Sequence, residues 1–549
     1  MLLPKLFTCM KDYSKEQFFK DLIAGIIVAI IALPLSIALG IASGVTPEKG
    51  IITAIIGGFF VSLLGGSRVQ IGGPTGAFVV IILGIIQKYG LDGLIFATLM
   101  AGMILIFMGV FKLGSLVEFI PYPITTGFTS GIAIIIFSTQ VKDFLGLNIE
   151  NIPSEFIAKW MVYLKNLGQT NMQALMIGFL TILIIVLFPK INRKVPSTLI
   201  AIFVATLLAK GLNLEVSTIQ TQFGEISGSI PSIHFPTFDF SKIEELIIPA
   251  VAIAVLGSVE SLLSAVVADG MIGGNHRSNM ELVGQGVANI FSALFGGIPV
   301  TGAIARTAAN VKNGARTPIS GIVHSITLFF MMIILMPYVK YIPMASLAGI
   351  LIVVSYNMGE WDEFKQLNKC PKSDALVFIV TFLLTIIFDL VVAIEVGMVL
   401  SAFLFMKRMA NITQFNYMLG EDNSSSDQLR LKEEFKISSD IDFYEIIGPF
   451  FFGAADKFIK TVRSTHKMPK ILVLDLKQVP IIDATGYSAL CRLYEMCTKS
   501  NTRLVFMQMQ EEPYKILENY GFVDLLGRER FCDNIDEVVE ITQKLSTAA

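Results

Sequence analysis

Residues 22–42, LIAGIIVAIIALPLSIALGIA, run through without one charged side chain. A helix needs about 20 apolar residues to cross the hydrocarbon core of a bilayer. This stretch has that length, and a chain holding many like it can fold only as a membrane protein. Of 549 residues, 53% are hydrophobic and 16% charged, and mean hydropathy is +0.68, outside the range of soluble domains. Lysines precede the first run, but no small-residue cleavage site follows it, so it reads as a retained span rather than a signal peptide.

Apolar runs punctuated by charge, proline and glycine fall near 22–42, 50–64, 75–88, 92–111, 121–141, 172–189 and 195–210. A second series falls near 246–269, 280–296, 302–312, 317–338, 343–356, 374–389 and 391–408. In both, the third segment is short and opens on related words, GGPTGAF at 72–78 and GGIPVTGAI at 296–304, with Gly76 and Gly302 in matching places. An odd number of spans per copy inverts the second against the first. The expected fold is therefore α-helical, with 14 transmembrane segments in two inverted repeats of seven, half-helices at the third and tenth, and a small α/β domain at the C-terminus. The expected parts are a cytoplasmic segment (1–20), a first repeat (21–210), an extracytoplasmic loop (211–245), a second repeat (246–410), a linker (411–434) and the α/β domain (435–549).

Charge supports that division. Residues 411–549 hold 21 acids and 16 bases, against 23 and 26 in the rest, and neither balance suits nucleic acid. With both termini inside, Lys112, Lys190, Arg193, Lys194, Arg277, Lys312, Arg316, Lys365, Lys369 and Lys372 fall in short cytoplasmic connections, as the positive-inside rule requires. Cys9, Cys370, Cys491, Cys497 and Cys532 stand outside the apolar runs in no metal-ligand spacing, which fits free thiols in a reducing compartment. A multi-pass protein of a bacterial inner membrane is expected, with both termini cytoplasmic.

Unpaired backbone inside a bilayer is tolerated only where protein buries it or a cavity lies beside it. A Pro-Thr-Gly break in mid-membrane marks an extended stretch feeding a helix whose first N–H groups have no partner. Those donors, with the positive end of the helix dipole, suit an anion. Two such ends meeting near the midplane are the arrangement of a secondary transporter. Two charged residues stand out within the spans, Glu260 and Arg306; such charges are costly and usually face a site or each other. Arg306 adds fixed positive charge beside the second helix start. Glu260, with Ser264 at i+4 on the same face, is the candidate proton carrier, and a Glu260–Arg306 pair that merely locks two helices is the competing reading. Asp269, Asp389 and Glu395 lie at span ends, where snorkelling or capping explains them.

The tail reads as strands at 441–447, 470–476 and in TRLVFMQM, with helices at 454–465, 484–500 and 511–520. It carries no P-loop, dinucleotide fingerprint or metal cluster, so no enzyme, cofactor or metal is expected. In IIDATGYSAL, Asp483 is placed to cap a helix and Thr485 lies in its first turn, where a phosphate would be stabilised.

IALPLSIALG, GGPTGAF, FGEISGSIPSIHFPTF, GSVESLLSA, GGIPVTGAIART and, in the tail, DATG occur in an order that resembles the sulfate permease (SulP) family of anion transporters with a fused STAS domain. The resemblance covers nearly the whole chain. It implies a core domain of spans 1–4 and 8–11 moving, elevator-like, against a gate of spans 5–7 and 12–14, in a homodimer. It also implies an anion held between the third and tenth segments by Leu35, Leu39, Thr75, Gly76, Ala77, Phe78, Gly302, Ala303, Ile304, Ala305 and Arg306, with Glu260 and Ser264 coupling an ion. Thr485 matches a position phosphorylated in STAS regulators, and a cytosolic regulatory protein is an implied partner of the domain.

Sodium-coupled bicarbonate members are similar at position 260 but carry a hydroxyl where this chain has Ile304, and lack its Arg306. The expected activity is therefore proton-coupled uptake of a small anion such as sulfate or a dicarboxylate. Sodium-coupled bicarbonate transport, a non-transporting STAS signalling scaffold and a nucleobase permease of similar fold are the alternatives.

Overall fold

The structure is a computed structural model that describes residues 2–117, 120–149, 152–153, 155–192, 195–225, 233, 243–388, 390–417, 441–464 and 468–547. Most of FGEISGSIPSIHFPTF, the stretch 418–440, Arg193, Lys194 and Asp389 lie outside the described residues. The chain divides into two compact units, Met1–Met398 and Val399–Ala549.

The first unit is helical. Its elements are α1 (Lys15–Ala42), α2 (Pro47–Leu64), the two-residue strand β1 (Gly72–Gly73), α3 (Phe78–Val110), α4 (Tyr122–Leu145), the short α5 (Phe156–Lys165), α6 (Met172–Ile191) and α7 (Ser197–Gly211). There follow α8 (Ile243–Ile272), α9 (Ser278–Leu294), β2 (Thr301–Gly302), α10 (Ile304–Lys312), α11 (Ile319–Val339), α12 (Met344–Met358), α13 (Lys372–Ile387) and α14 (Leu390–Ile412), which crosses the division between the units. Among the described residues seven helices are long and apolar enough to cross a membrane: α1, α2, α3, α4, α6, α8 and α11.

Local chemistry sets the ends. Ser14 caps α1 by accepting the Gln17 N–H, and Asn171 caps α6 by accepting from Gln173 and Ala174. Pro47 opens α2, where its missing N–H costs nothing. Gly90, at φ 71°, interrupts α3, so the segments expected at 75–88 and 92–111 are two arms of one kinked helix. The first arm begins at Phe78 rather than 75, because the strand Gly72–Gly73 and a turn at 76–77 precede it.

Two apolar clusters hold the helices together. One gathers Phe78, Ile82, Leu94, Phe128, Ile132 and Leu256 from α3, α4 and α8; the other gathers Leu33, Ile37, Ile51, Leu328, Met332 and Ile350 from α1, α2, α11 and α12. Where α3 crosses α9, Gly102 and Gly286 face each other, and a Cβ on either would strike the other's carbonyl oxygen. Small residues at such crossings let membrane helices pack by close contact, since lipid supplies no hydrophobic drive between them. Met176, Phe179 and Leu183 of α6 and Phe203 and Leu207 of α7 point outward and exposed, a face suited to lipid.

Two fully buried carboxylates tie loops to helices. Glu281, near the start of α9, accepts from the Gly66 and Ser67 N–H groups at 2.8 and 3.0 Å, from Ser261 Oγ at 3.0 Å and from Gln285 Nε2 at 2.9 Å. Asp21 on α1 accepts from Thr317 Oγ1 at 2.6 Å, from Arg316 N at 2.9 Å, and from Tyr13 and Gln17. Glu281, Gln285 and Asn289 recur every four residues and line one face of α9.

The second unit is a five-stranded sheet in the order β3 (Gln414–Tyr417), β4 (Ile441–Ile447), β5 (Ile471–Gln478), β6 (Arg503–Met507), β7 (Phe531–Cys532). The β3–β4 pair is antiparallel and the others parallel. Helices α15 (Phe452–Ser464), α16 (Ala484–Lys499), α17 (Glu511–Asn519) and α18 (Ile535–Thr547) accompany it, with a short helical turn at Phe522–Leu526. The strand β3 corrects the expected linker: Gln414–Tyr417 pairs with β4 and belongs to the sheet. Four residues of alternating exposure on an edge give too little periodicity to register as a strand. Asp483 caps α16 by accepting the Gly486 N–H at 2.6 Å, and Thr485 sits half-buried in the first turn.

Removing the Glu281 carboxylate leaves two backbone and two side-chain donors without their acceptor. Glu281→Ala is expected to destabilise the membrane unit by about 3 kcal/mol or more, read as a lower midpoint in thermal unfolding in detergent. Ser278→Ala on the same helix, outside this network, should shift the midpoint much less.

Candidate anion site

The strands β1 and β2 cross antiparallel, with Gly72 opposite Gly302 and Gly73 opposite Thr301. The pairing answers the problem of extended backbone deep in an apolar unit: each short strand satisfies the other's amides. It also delivers the chain to two helix starts, Phe78 of α3 and Ile304 of α10. Side chains fasten the crossing from outside. Asn289 bonds the Val300 N–H and C=O at 3.0 and 2.8 Å, Thr301 Oγ1 donates to Gly257 O at 2.9 Å, and Gln70 Nε2 donates to Ser261 Oγ at 2.9 Å. Helix α8 thus touches both strands or their flanks.

Glycine is required at the crossing by space. A Cβ on Gly302 would strike the Gln70 amide, and one on Gly73 would strike Nη1 of Arg306. The guanidinium therefore lies directly against the β1 backbone. Arg306 is 3% exposed; its Nη2 donates to Pro74 O at 3.3 Å, while Nη1 has no hydrogen-bond partner. Among the described residues no ion pair joins Arg306 to Glu260. Instead Glu260 accepts a 2.8 Å hydrogen bond from Thr75 Oγ1. The two charged side chains are not locked together, and the pairing that would have made them purely structural is absent.

The expected coupling pair of Glu260 with Ser264 is also not formed. Ser264 Oγ donates to Thr307 Oγ1 at 3.2 Å, and that hydroxyl accepts from the Ile71 N–H at 3.1 Å. Ser264 faces α10 and completes a relay that holds the crossing. Thr75, expected to touch the anion, is turned to Glu260. The i+4 rule found a neighbour on the same helix, but a threonine 185 positions away in sequence reaches the carboxylate.

The other expected residues sort by placement. Ala303 spends its N–H on Ile71 O at 2.8 Å, so the donors of the second helix start are those of Ile304 and the residues after it. Ile304 and Ala305 are exposed, Ile304 at 42%, and the first turn of α10 is open on that side. Ala77 and Phe78 are buried; the Phe78 ring packs in the apolar cluster, with Cζ 3.4 Å from where a Gly257 Cβ would lie. Gly76 O accepts from the Val79 N–H. Leu39 is buried beside Val79 in the second apolar cluster, and Leu35 packs at its edge. Both leucines support the first helix start from behind.

Magnitudes rank the contributions. A helix terminus is worth about 0.3–1 kcal/mol to a nearby anion. A full charge about 4 Å away at an effective dielectric of about 20 is worth about 4 kcal/mol. Arg306 therefore dominates, and the two helix starts add direction. Gln70, Asn289 and Thr307, which hold the crossing, were not singled out in the sequence; the four-residue polar repeat of α9 was the available signal for Asn289.

A family model described as the sulfate permease family matches residues 18–381, and a STAS domain model matches residues 434–538. The chain belongs to the sulfate permease family. Within that family it is 39% identical over 530 residues to YvdB of Bacillus subtilis (strain 168), a candidate sulfate transporter by name, covering 96% of this chain and 98% of that protein. It is 33% identical over 495 residues to "Bicarbonate transporter BicA" of Picosynechococcus sp. (strain ATCC 27264 / PCC 7002 / PR-6), covering 86% and 85%. Murine solute carrier 26 family member A9, an anion transporter solved in its inward-facing state, shares the fold, with a TM-score of 0.87 at 18% identity over 99% of this chain and 94% of that one.

For this sulfate permease chain, Gly73→Ala is expected to cut anion flux at least tenfold, because the added methyl group displaces the guanidinium. The protein should still elute as a monodisperse peak, since the neighbouring strand pairing is unchanged. Flux in proteoliposomes together with size-exclusion chromatography checks both halves.

Proposed function

We propose that this chain is a secondary active transporter of a small anion, taken up with protons and bound between the starts of α3 and α10. The observation that carries the proposal is Arg306, buried against the β1 backbone with, among the described residues, no hydrogen-bond partner for Nη1 and no carboxylate partner. A buried cation left unpaired costs several kcal/mol, and an anion is the ligand that offsets it. The first-turn N–H groups of α10 supply directed donors to the same ligand.

Glu260 is the proposed proton carrier. Neutral, it leaves the positive charge of Arg306 undiminished for the anion; ionised, it weakens anion binding through charge repulsion. Loading a proton with the anion and losing both on the other side couples the two gradients. Thr75, by donating to Glu260, keeps the carboxyl oriented in either form. We read the helices as fourteen spans in two inverted repeats, with α1–α3 and α8–α11 as the moving core, an elevator-like motion, a homodimeric assembly, an inner-membrane location and both termini cytoplasmic. Thr485 is the proposed regulatory phosphorylation site, and a cytosolic regulatory protein is the proposed partner of the STAS domain.

Sulfate is the preferred substrate class, with dicarboxylates beside it. A second reading, bicarbonate, is supported by the similarity to BicA. Against sodium coupling stands Ile304, whose exposed aliphatic side chain offers no oxygen to a cation. Full-length protein in liposomes, offered sulfate, bicarbonate, chloride and dicarboxylates under imposed pH or sodium gradients, separates these readings. The expected result is sulfate uptake driven by a pH gradient, inside alkaline, and indifferent to sodium. Absence of flux for every anion would leave the scaffold and the nucleobase-permease readings, which uracil or xanthine uptake separates. Glu260→Gln is expected to abolish proton-driven accumulation while exchange down the anion's own gradient persists; accumulation that still follows pH in this variant would remove Glu260 from the coupling role.

A further inference from the structure

The membrane unit holds a cavity of about 820 Å³ that does not include Glu260, Arg306 or the first turn of α10. Its wall starts on the first arm of α3 at Val80 and Ile81, just past the helix start. It continues along α4 at Thr139 and Gln140 and onto α5 at Lys159 and Tyr163. On the orientation proposed above it opens on the outer side.

Six charged side chains line it: Lys88, Lys142, Lys159, Asp143, Glu155 and Glu245. Five are exposed or half-buried by surface area. Lys159 differs. It is 6% exposed, with no hydrogen bond or ion pair from its amino group among the described residues. Burial alone pulls its pKa below the ordinary lysine range, and none of the three acids pulls it back. Buried charges in folded proteins are paired or ligated. Its stem is covered while the residue lines the cavity, and Ile157, Met161 and Leu164 take the exposed face of α5.

We propose that Lys159 marks a second anion site, a capture point where a small inorganic anion is held in the outer cavity before it reaches the α3 and α10 helix starts. The proposal rests on the anion-transport reading for its purpose and on Lys159 for its chemistry. The site is an ammonium on the wall of an open, partly apolar cavity. Its preference for anions follows from the ammonium charge, which none of the cavity's carboxylates pairs among the described residues.

The chain has two tryptophans, and Trp160 follows Lys159 directly, stacked against Phe137 and edge-on to Tyr163. In full-length protein carrying Trp361→Phe, emission therefore reports on this region alone. Titration with sodium sulfate, at ionic strength held constant with gluconate, is expected to give a saturable change. Lys159→Gln should move its midpoint up at least tenfold, Lys159→Arg should stay within threefold, and the KM for sulfate entering from the outer face should rise with the same order as the midpoint. An unchanged midpoint in Lys159→Gln, or a strictly linear response in the parent, would overturn the site. Should Lys159→Gln fail to fold, a loss of saturation in the folded Lys159→Met variant serves the same purpose. Flux failing while the titration saturates would count against transport and not against this site; flux intact with no Lys159 dependence would count against this site alone.

Discussion

Everything in the membrane unit depends on the pairing of four residues, Gly72 and Gly73 against Gly302 and Thr301. Extended backbone in an apolar interior is costly unless its amides are matched, and two strands of two residues are the smallest mutual solution. The surrounding polar residues serve that crossing. Asn289 grips Val300, Thr301 reaches Gly257, Gln70 reaches Ser261, and Ser264 reaches Thr307, which holds Ile71. Glu281 then anchors Gly66 and Ser67, from which the first extended stretch departs. A buried polar network of this kind is costly in part and rigid when complete, and here it is complete enough to fix two helix starts against each other.

The crossing also explains why the charge at the site is an arginine held against glycine. With no side chain at Gly73, the guanidinium approaches the backbone and spends one nitrogen on Pro74 O, leaving the other free. A planar guanidinium divides its donors in this way, whereas a lysine ammonium is a single point charge. Glu260 is kept from neutralising it by Thr75, which supplies the carboxylate's hydrogen bond from the opposite strand's continuation. Structure and chemistry meet in that separation: an ion pair would stabilise the fold locally and close the site to anions.

Much of this was legible in the sequence, and the remainder was not for definite physical reasons. The paired words GGPTGAF and GGIPVTGAI, and the rarity of charge in the spans, led to the two helix starts, Glu260 and Arg306. Short-range periodicity found Ser264 and missed Thr75, because a contact made across the crossing leaves no trace in local spacing. Ala303 looked like a donor until its N–H was spent on Ile71. Phe78 looked like a ligand, yet its ring belongs to the core that seats the helix. Glu281 was not singled out, although Gln285 and Asn289 on the same face signalled a polar seam. In the tail, β4, β5 and β6 read as strands, β5 from its nearly continuous apolar run, whereas β3 was too short and too exposed to stand out from a linker. Sequence pattern reports burial along an element; it is weak where a side chain answers to a residue two hundred positions away.

The central claim is that an oxyanion sits between the two helix starts, on Arg306. Its most direct test is anomalous diffraction from crystals of the full chain grown with selenate, an anion shaped like sulfate, after flux of selenate has been measured. The account predicts a selenium peak within hydrogen-bond reach of the Arg306 guanidinium and of the first-turn N–H groups of α10. Selenate that is transported yet gives no peak there, with density only at other positions, would contradict it.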